Sequence, residues 1–96
     1  MKGYWIAHVT LTDPNAYQDY LALAPAALAK YGAKILSRGE HFTPLEGFDD
    51  APPHRAVVFE FESYQQALDC YHSPEYQAAR EKRLASANAH ILILQG

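Results

Sequence analysis

Apolar residues recur at two different periods along this chain, and the switches between the periods predict its elements. Tyr4 to Thr10 is a compact aromatic, aliphatic and β-branched run, too short for a typical helix and closed by Thr12-Asp13-Pro14, which predicts a first strand. Asp13 is placed to cap a helix, with Pro14 at the first helical position, where a missing N–H costs nothing. Tyr17, Tyr20, Leu21, Ala24, Leu28 and Tyr31 then return at three- and four-residue steps and draw one helical stripe. Pro25 predicts a kink or interruption in it, and Gly32 a left-handed stop. Lys34 to Arg38 reads as a second strand. Gly39 to Pro53, with Pro44, Gly47, Asp49, Asp50, Pro52 and Pro53, reads as a loop with room for a short hairpin arm. Arg55 to Phe61 is a third strand, and Ser63-Tyr64-Gln65-Gln66 has capping-box spacing ahead of the stripe Tyr64, Ala67, Leu68 and Tyr71. Ser73-Pro74 ends that helix and restarts another, whose stripe continues through Tyr76, Ala79, Arg80, Arg83 and Leu84. His90 to Leu94 is the fourth strand.

The order is βαββαβ, and right-handed crossovers make it an α+β, ferredoxin-like domain spanning residues 1–96, with a four-stranded antiparallel sheet and its helices on one face. A sheet whose other face met water would alternate apolar and polar residues. Ala56-Val57-Val58-Phe59 and Ile91-Leu92-Ile93-Leu94 are apolar at both parities, and Trp5-Ile6-Ala7 and Ile35-Leu36 repeat the feature. The second face therefore calls for a cover. A second copy packed sheet to sheet, giving a dimeric α/β barrel with the helices outside, is the economical cover; the alternative is a monomer whose Gly39 to Pro53 segment folds across the sheet.

Composition narrows the partners. Eight Lys and Arg against 11 Asp and Glu give a net charge of -3, and no basic run is present, so nucleic acid is not an expected partner. The start, Met1-Lys2-Gly3-Tyr4-Trp5, enters a strand pattern without a secretory apolar stretch, and no segment approaches the roughly 18 apolar residues that a membrane span requires. The single cysteine, Cys70, suits a reducing cytoplasm and supports neither an internal disulfide nor a thiolate metal cluster. A 96-residue domain hides only about two thirds of the surface its unfolded chain exposes, which again favours a partner copy.

Among the chemical residues, Arg38 and Arg55 stand on strand runs, where a permanent charge requires a carboxylate, a carbonyl cluster or an anionic ligand. An internal pair with Glu46 or Glu60 satisfies that requirement, and so does a bound carboxylate gripped by the planar guanidinium fork. The five histidines, His8, His41, His54, His72 and His90, show no metal-ligand spacing, so no metal is expected. His72 follows Tyr71 at the helix break; it reads either as a solvated helix end or as an acid or base, and His8 reads as a site residue or a hydrogen-bonded core residue. Tyr17, Tyr20, Tyr64, Tyr71 and Tyr76 lie on stripes facing the sheet, where they either pack or line a pocket, with Tyr71 and Tyr76 brought together by the proline break. Arg83 falls on the stripe after Tyr76. Cys70 and His72 are two apart and do not share a helix face, which disfavours a nucleophilic pair. Gly39 and Gly47 are isolated, so no phosphate or dinucleotide loop is present, and no histidine has the setting of a haem ligand.

Gly3-Tyr4-Trp5-Ile6-Ala7, Thr12-Asp13-Pro14, Tyr31-Gly32-Ala33, Ser37-Arg38-Gly39, Leu45-Glu46-Gly47, Arg55 to Phe61, Tyr71, Ser73-Pro74-Glu75-Tyr76, Arg83 and the Ile91 to Gly96 ending together resemble the domain of unknown function 1330 family, a branch of the dimeric α/β-barrel superfamily. The resemblance implies a ferredoxin-like dimer and no established reaction. More distant superfamily members include cofactor-independent monooxygenases, lactone isomerases and haem enzymes, which hold ligands between sheet and helices. Three positions depart from the family pattern: Glu40 in place of a second glycine, Glu62 in place of a proline, and Cys70 in place of an aromatic residue. The resulting expectation is a cytoplasmic homodimer without cofactor or metal, holding a small organic, carboxylate-bearing molecule through Arg38, Arg55, Tyr71, His72, Tyr76, Arg83 and His8. Two alternatives stay open: a cofactor-independent enzyme of monooxygenase or isomerase type, and a structural or regulatory dimer without ligand.

Overall fold

The computed structural model describes residues 1–49 and 51–96; Asp50, which falls in the expected loop, lies outside them. Seven elements follow one another as β1 (Gly3–Leu11), α1 (Tyr17–Lys30), β2 (Lys34–Gly39), β3 (Arg55–Phe61), α2 (Tyr64–His72), α3 (Pro74–Leu84) and β4 (Ala87–Gln95). The strands form one antiparallel sheet in the order β2-β3-β1-β4, the ferredoxin-like arrangement that the element order predicts. Within the single chain the sheet stays open, so the architecture is two-layer α+β rather than a closed barrel.

Strand parity separates the two faces. Trp5, Ala7 and Val9 of β1 are buried toward the helices, level with Phe59, Val57 and Arg55 on β3 and with Ile93, Ile91 and Ala89 on β4. Trp5 sits at the centre of this core, with Phe61 stacked at 6.1 Å and the Tyr76 ring edge-on at 4.9 Å. The opposite face carries Ile6, Val58, Leu92 and Leu94, with the two leucines 56% and 54% exposed. The segment between β2 and β3 reaches that face where Phe48 packs 5.7 Å from the His8 ring, and leaves Leu92 and Leu94 uncovered. Its end is tied to β1 by two bonds: His54 N–H donates to the Val9 carbonyl at 2.8 Å, and His54 Nδ1 accepts from Leu11 N–H at 2.9 Å.

Local and long-range contacts explain the element boundaries, and three features differ from the sequence pattern. Helix α1 starts at Tyr17 rather than Pro14, because Asp13 Oδ1 accepts from Ala16 N–H at 3.1 Å and closes a turn over residues 14–16 first. Pro25 does not interrupt α1, which runs through to Lys30, because Ala24, Ala27 and Leu28 anchor the helix on both sides of it. Strand β4 begins at Ala87 rather than His90, since β1 extends to Leu11 and offers Ala87 and Asn88 partners in register. The break between α2 and α3 falls where Ser73-Pro74 predicts it. Ser73 accepts from Tyr76 N–H at 3.1 Å and donates to the Cys70 carbonyl at 2.7 Å, so one buried hydroxyl serves the end of one helix and the start of the next. Gly3 permits β1 to pass the start of α2, where a Cβ would stand 2.8 Å from the Ser63 carbonyl oxygen.

Candidate functional site

Helix α1 presents small residues, Ala24, Pro25 and Ala29, toward the β2–β3 side of the sheet, and the space left beneath is a cavity of about 230 Å³. Sheet register orders its lining from one end to the other. Trp5 lies opposite Phe59, which lies opposite Ile35; next come Ala7, Val57 and Arg38, and then Val9 and Arg55. Leu28 closes the aromatic end, whereas Tyr17, Tyr20 and Arg83 gather at the arginine end. One end is therefore wholly apolar, Arg38 stands midway, and the other end brings together two guanidinium groups and two phenols.

Arg83 is 5% exposed, its Cζ lies 5.9 Å from the Tyr20 ring centroid, and its Nε has no hydrogen-bond partner. Arg55 is half-buried, with Cζ 5.9 Å from the Tyr17 ring centroid and Nε likewise unpaired. Its nearest carboxylate is Glu40, at 3.9 Å from the terminal nitrogen and well exposed on the rim. The expected partners lie elsewhere: Glu60 is on the opposite sheet face, 4.0 Å from Lys2 Nζ, and Glu46 makes no ion pair among the described residues. No carboxylate, histidine or side-chain amide lines the cavity among the described residues.

The phenols remain protonated donors. Burial pushes Tyr20 well above the ordinary tyrosine range, and the Tyr76 hydroxyl 3.0 Å away adds to the shift. Burial raises Tyr17 and Tyr76 as well, with Arg55 opposing the rise at Tyr17 and Tyr20 and Arg83 opposing it at Tyr76. Cys70 faces the Ala27 carbonyl rather than the cavity, and burial pushes its thiol up to about 12.

Residues 2–96 match the family model described as Domain of unknown function (DUF1330). The chain belongs to the DUF1330 family. Among curated proteins no sequence matches it. Solved structures similar to this DUF1330 domain include a protein of unknown function from Rhodopseudomonas palustris, with TM-score 0.78, 19% identity and coverage of 99% of this chain and 82% of that one. SnoaB, a cofactor-independent oxygenase from Streptomyces nogalater, has TM-score 0.68, 10% identity and coverage of 99% and 92%. A dimeric protein of unknown function with a ferredoxin-like fold from Bacteroides fragilis has TM-score 0.64, 16% identity and coverage of 99% and 96%. At these identities the likeness is one of fold.

Of the residues singled out in the sequence, Arg38, Arg55 and Arg83 border one cavity in this DUF1330 domain. Tyr76 is fully buried behind Tyr20 and touches the cavity only through their shared hydroxyl contact. Tyr71 packs against Trp5 and Tyr76 outside the cavity lining, and His72 is exposed at the helix break with Tyr71 edge-on at 5.2 Å. His8 points to the opposite sheet face, beside Phe48. The helix break thus lies near the cavity's back wall, and the cavity itself is roofed by α1. Tyr17 and Tyr20 complete its polar end, and Glu40 stands on the rim beside Arg55, outside the lining. A signal for the first two was the placement of tyrosines on a sheet-facing stripe where leucine packs better, and for Glu40 its departure from the family's glycine.

Proposed function

We propose that this DUF1330 protein is a cytoplasmic homodimer that binds a small organic anion in the cavity beneath α1 of each subunit. The observation carrying the reading is Arg83, a nearly inaccessible guanidinium with an unpaired Nε at the wall of an apolar cavity. A permanent charge in such a place is costly without an anion, and none of the described carboxylates reaches it. Arg55 adds positive charge at the same end and Arg38 midway along, and apolar walls with a few converging polar groups are the usual form of a small-molecule site. Homodimerisation is supported by the apolar outer sheet face and by the dimeric fold neighbour from Bacteroides fragilis.

Binding without turnover is favoured over the chemistry named for SnoaB. Proton abstraction calls for a base within hydrogen-bond reach, and the polar groups lining the cavity are guanidiniums and phenols held protonated by burial. Native mass spectrometry of protein purified from its own source tests the reading: a co-purifying small acid, lost in Arg55→Gln, is expected. Protein free of any bound molecule, together with no thermal shift from a panel of organic anions, would overturn it.

A further inference from the structure

The cavity is polarised along its length, and that polarity specifies a class of ligand. Resting on the anion-binding reading, we infer that the site takes a monocarboxylate with a narrow apolar tail, its carboxylate between Arg55 and Arg83 and its tail running toward Trp5, Phe59 and Leu28. Register fixes the direction. Arg55 and Phe59 lie four residues apart on the same face of β3, which places the charged and aromatic ends roughly 13 Å apart. The head end offers the guanidinium groups of Arg55 and Arg83, whose buried Nε atoms have no partner, and the protonated hydroxyls of Tyr17 and Tyr20. An ammonium head would face two guanidiniums with no carboxylate in the lining to hold it. A neutral head would accept from a guanidinium without compensating its charge, and a short acid such as acetate would leave the aromatic end unfilled.

Glu40 gives the site an internal competitor. Its carboxylate stands 3.9 Å from Arg55 on the solvent side, the one acidic group of the described residues paired with an arginine of the site. An incoming carboxylate replaces Glu40 on Arg55, so the acid at this rim position sets the affinity of the pocket as well as screening it. The open edge near Ile35, Arg38 and Leu21, all exposed, supplies the route by which a tail enters.

Calorimetric titration with octanoate, octan-1-ol, acetate and octyl phosphate tests the inference in the wild type, Arg55→Gln, Glu40→Gln and Ala29→Phe, each checked for an unchanged melting profile. Octanoate is expected to bind at least about tenfold more tightly than octanol, since a charge-assisted hydrogen bond is lost with the neutral head, and more tightly still than acetate. Arg55→Gln should erase the preference for acid over alcohol. Glu40→Gln should tighten octanoate by about two- to fivefold, the range of an exposed ion pair. Ala29→Phe, which narrows the cavity from α1, should weaken octanoate more than acetate. Equal binding of octanol and octanoate, equal binding of acetate, or a preference for octyl phosphate over octanoate would overturn the carboxylate assignment while leaving a small-molecule pocket in place. Failure of all four probes, with no molecule found by native mass spectrometry, would overturn both this inference and the binding function beneath it.

Discussion

Both faces of the sheet carry large apolar side chains, and these meet different fates. On the helix side Trp5, Phe59 and Phe61 are closed over by α1, α2 and α3, and packing is tight except where the alanine-rich stretch of α1 stands off the sheet. On the other side Ile6, Val58, Leu92 and Leu94 form an apolar patch, bordered by His8, Glu60 and His90, over which no helix of the described residues packs. Hydrophobicity alone therefore does not distinguish core from surface here. What differs is the cover: the helix face is closed by segments of the same chain, and the outer face leaves Leu92 and Leu94 open to solvent.

Truncation on the two faces should separate these roles most strongly. Trp5→Ala removes the ring around which Phe59, Phe61, Tyr71 and Tyr76 assemble and is expected to cost about 3–5 kcal/mol, measured by urea denaturation. Leu92→Ala, half-exposed in the chain, should lower stability far less when measured at a concentration where the protein is monomeric. Comparable losses in that monomeric state would mean that the outer face is already packed within one chain, and the contrast between faces would collapse.

A charge on the outer face sharpens the contrast further. Leu92→Asp is expected to convert a dimer, seen by sedimentation at micromolar concentration, into a monomer, because a carboxylate would be buried against the second sheet. The wild-type melting temperature should rise with protein concentration and that of the variant should not. A wild type that sediments as a monomer at every concentration would remove the second copy as the cover for this face.

The same contrast explains how much of the fold and the site was legible in the sequence. Strand parity and turn chemistry carried the element order, the sheet arrangement and the doubly apolar strands, because each depends on local spacing. Two misplacements came where a long-range partner decided the matter, since β4 lengthened to match β1 and α1 ran through Pro25 because buried alanines and Leu28 hold it; the late start of α1 came instead from the local Asp13 turn. At the site, Arg38, Arg55 and Arg83 stood out because permanent charge on an otherwise apolar stripe is conspicuous. Tyr71 and His72 drew attention through the proline break, yet a break between helices says nothing about where a third helix leaves space. That space depends on how far α1 stands from the sheet, which no residue pattern within α1 states. Glu40 could be noticed only as a departure, and its distance from Arg55 required the fold.

The smallest expected effect concerns how the helix layer over the closed face is held together. Lys30 at the end of α1 and Glu75 in the first turn of α3 meet at 2.6 Å across the surface, so the pair links the cavity's roof to the neighbouring helix. The Lys30 hydrogen bond holds the Glu75 carboxyl below its ordinary value of 4.5, and the Glu75 hydrogen bond holds the Lys30 ammonium above 10.5. A carboxyl with a depressed folded-state pKa binds protons more readily in the unfolded chain. Its contribution to stability is therefore complete above the ordinary carboxylate value and is lost as pH falls through the depressed folded value. The raised lysine works in the opposite sense, contributing below 10.5 and losing that contribution as pH climbs through its folded value. Glu75→Gln should accordingly melt slightly below the wild type at pH 7, with the gap closing under acid conditions, once pH has passed below the carboxyl's folded value. Because both groups are solvated, the gap should also shrink in 1 M salt. A gap unchanged by either acid or salt would show that the variant acts through packing of α1 on α3, making the cavity's roof a packed layer in its own right rather than one pinned at its edge by charge.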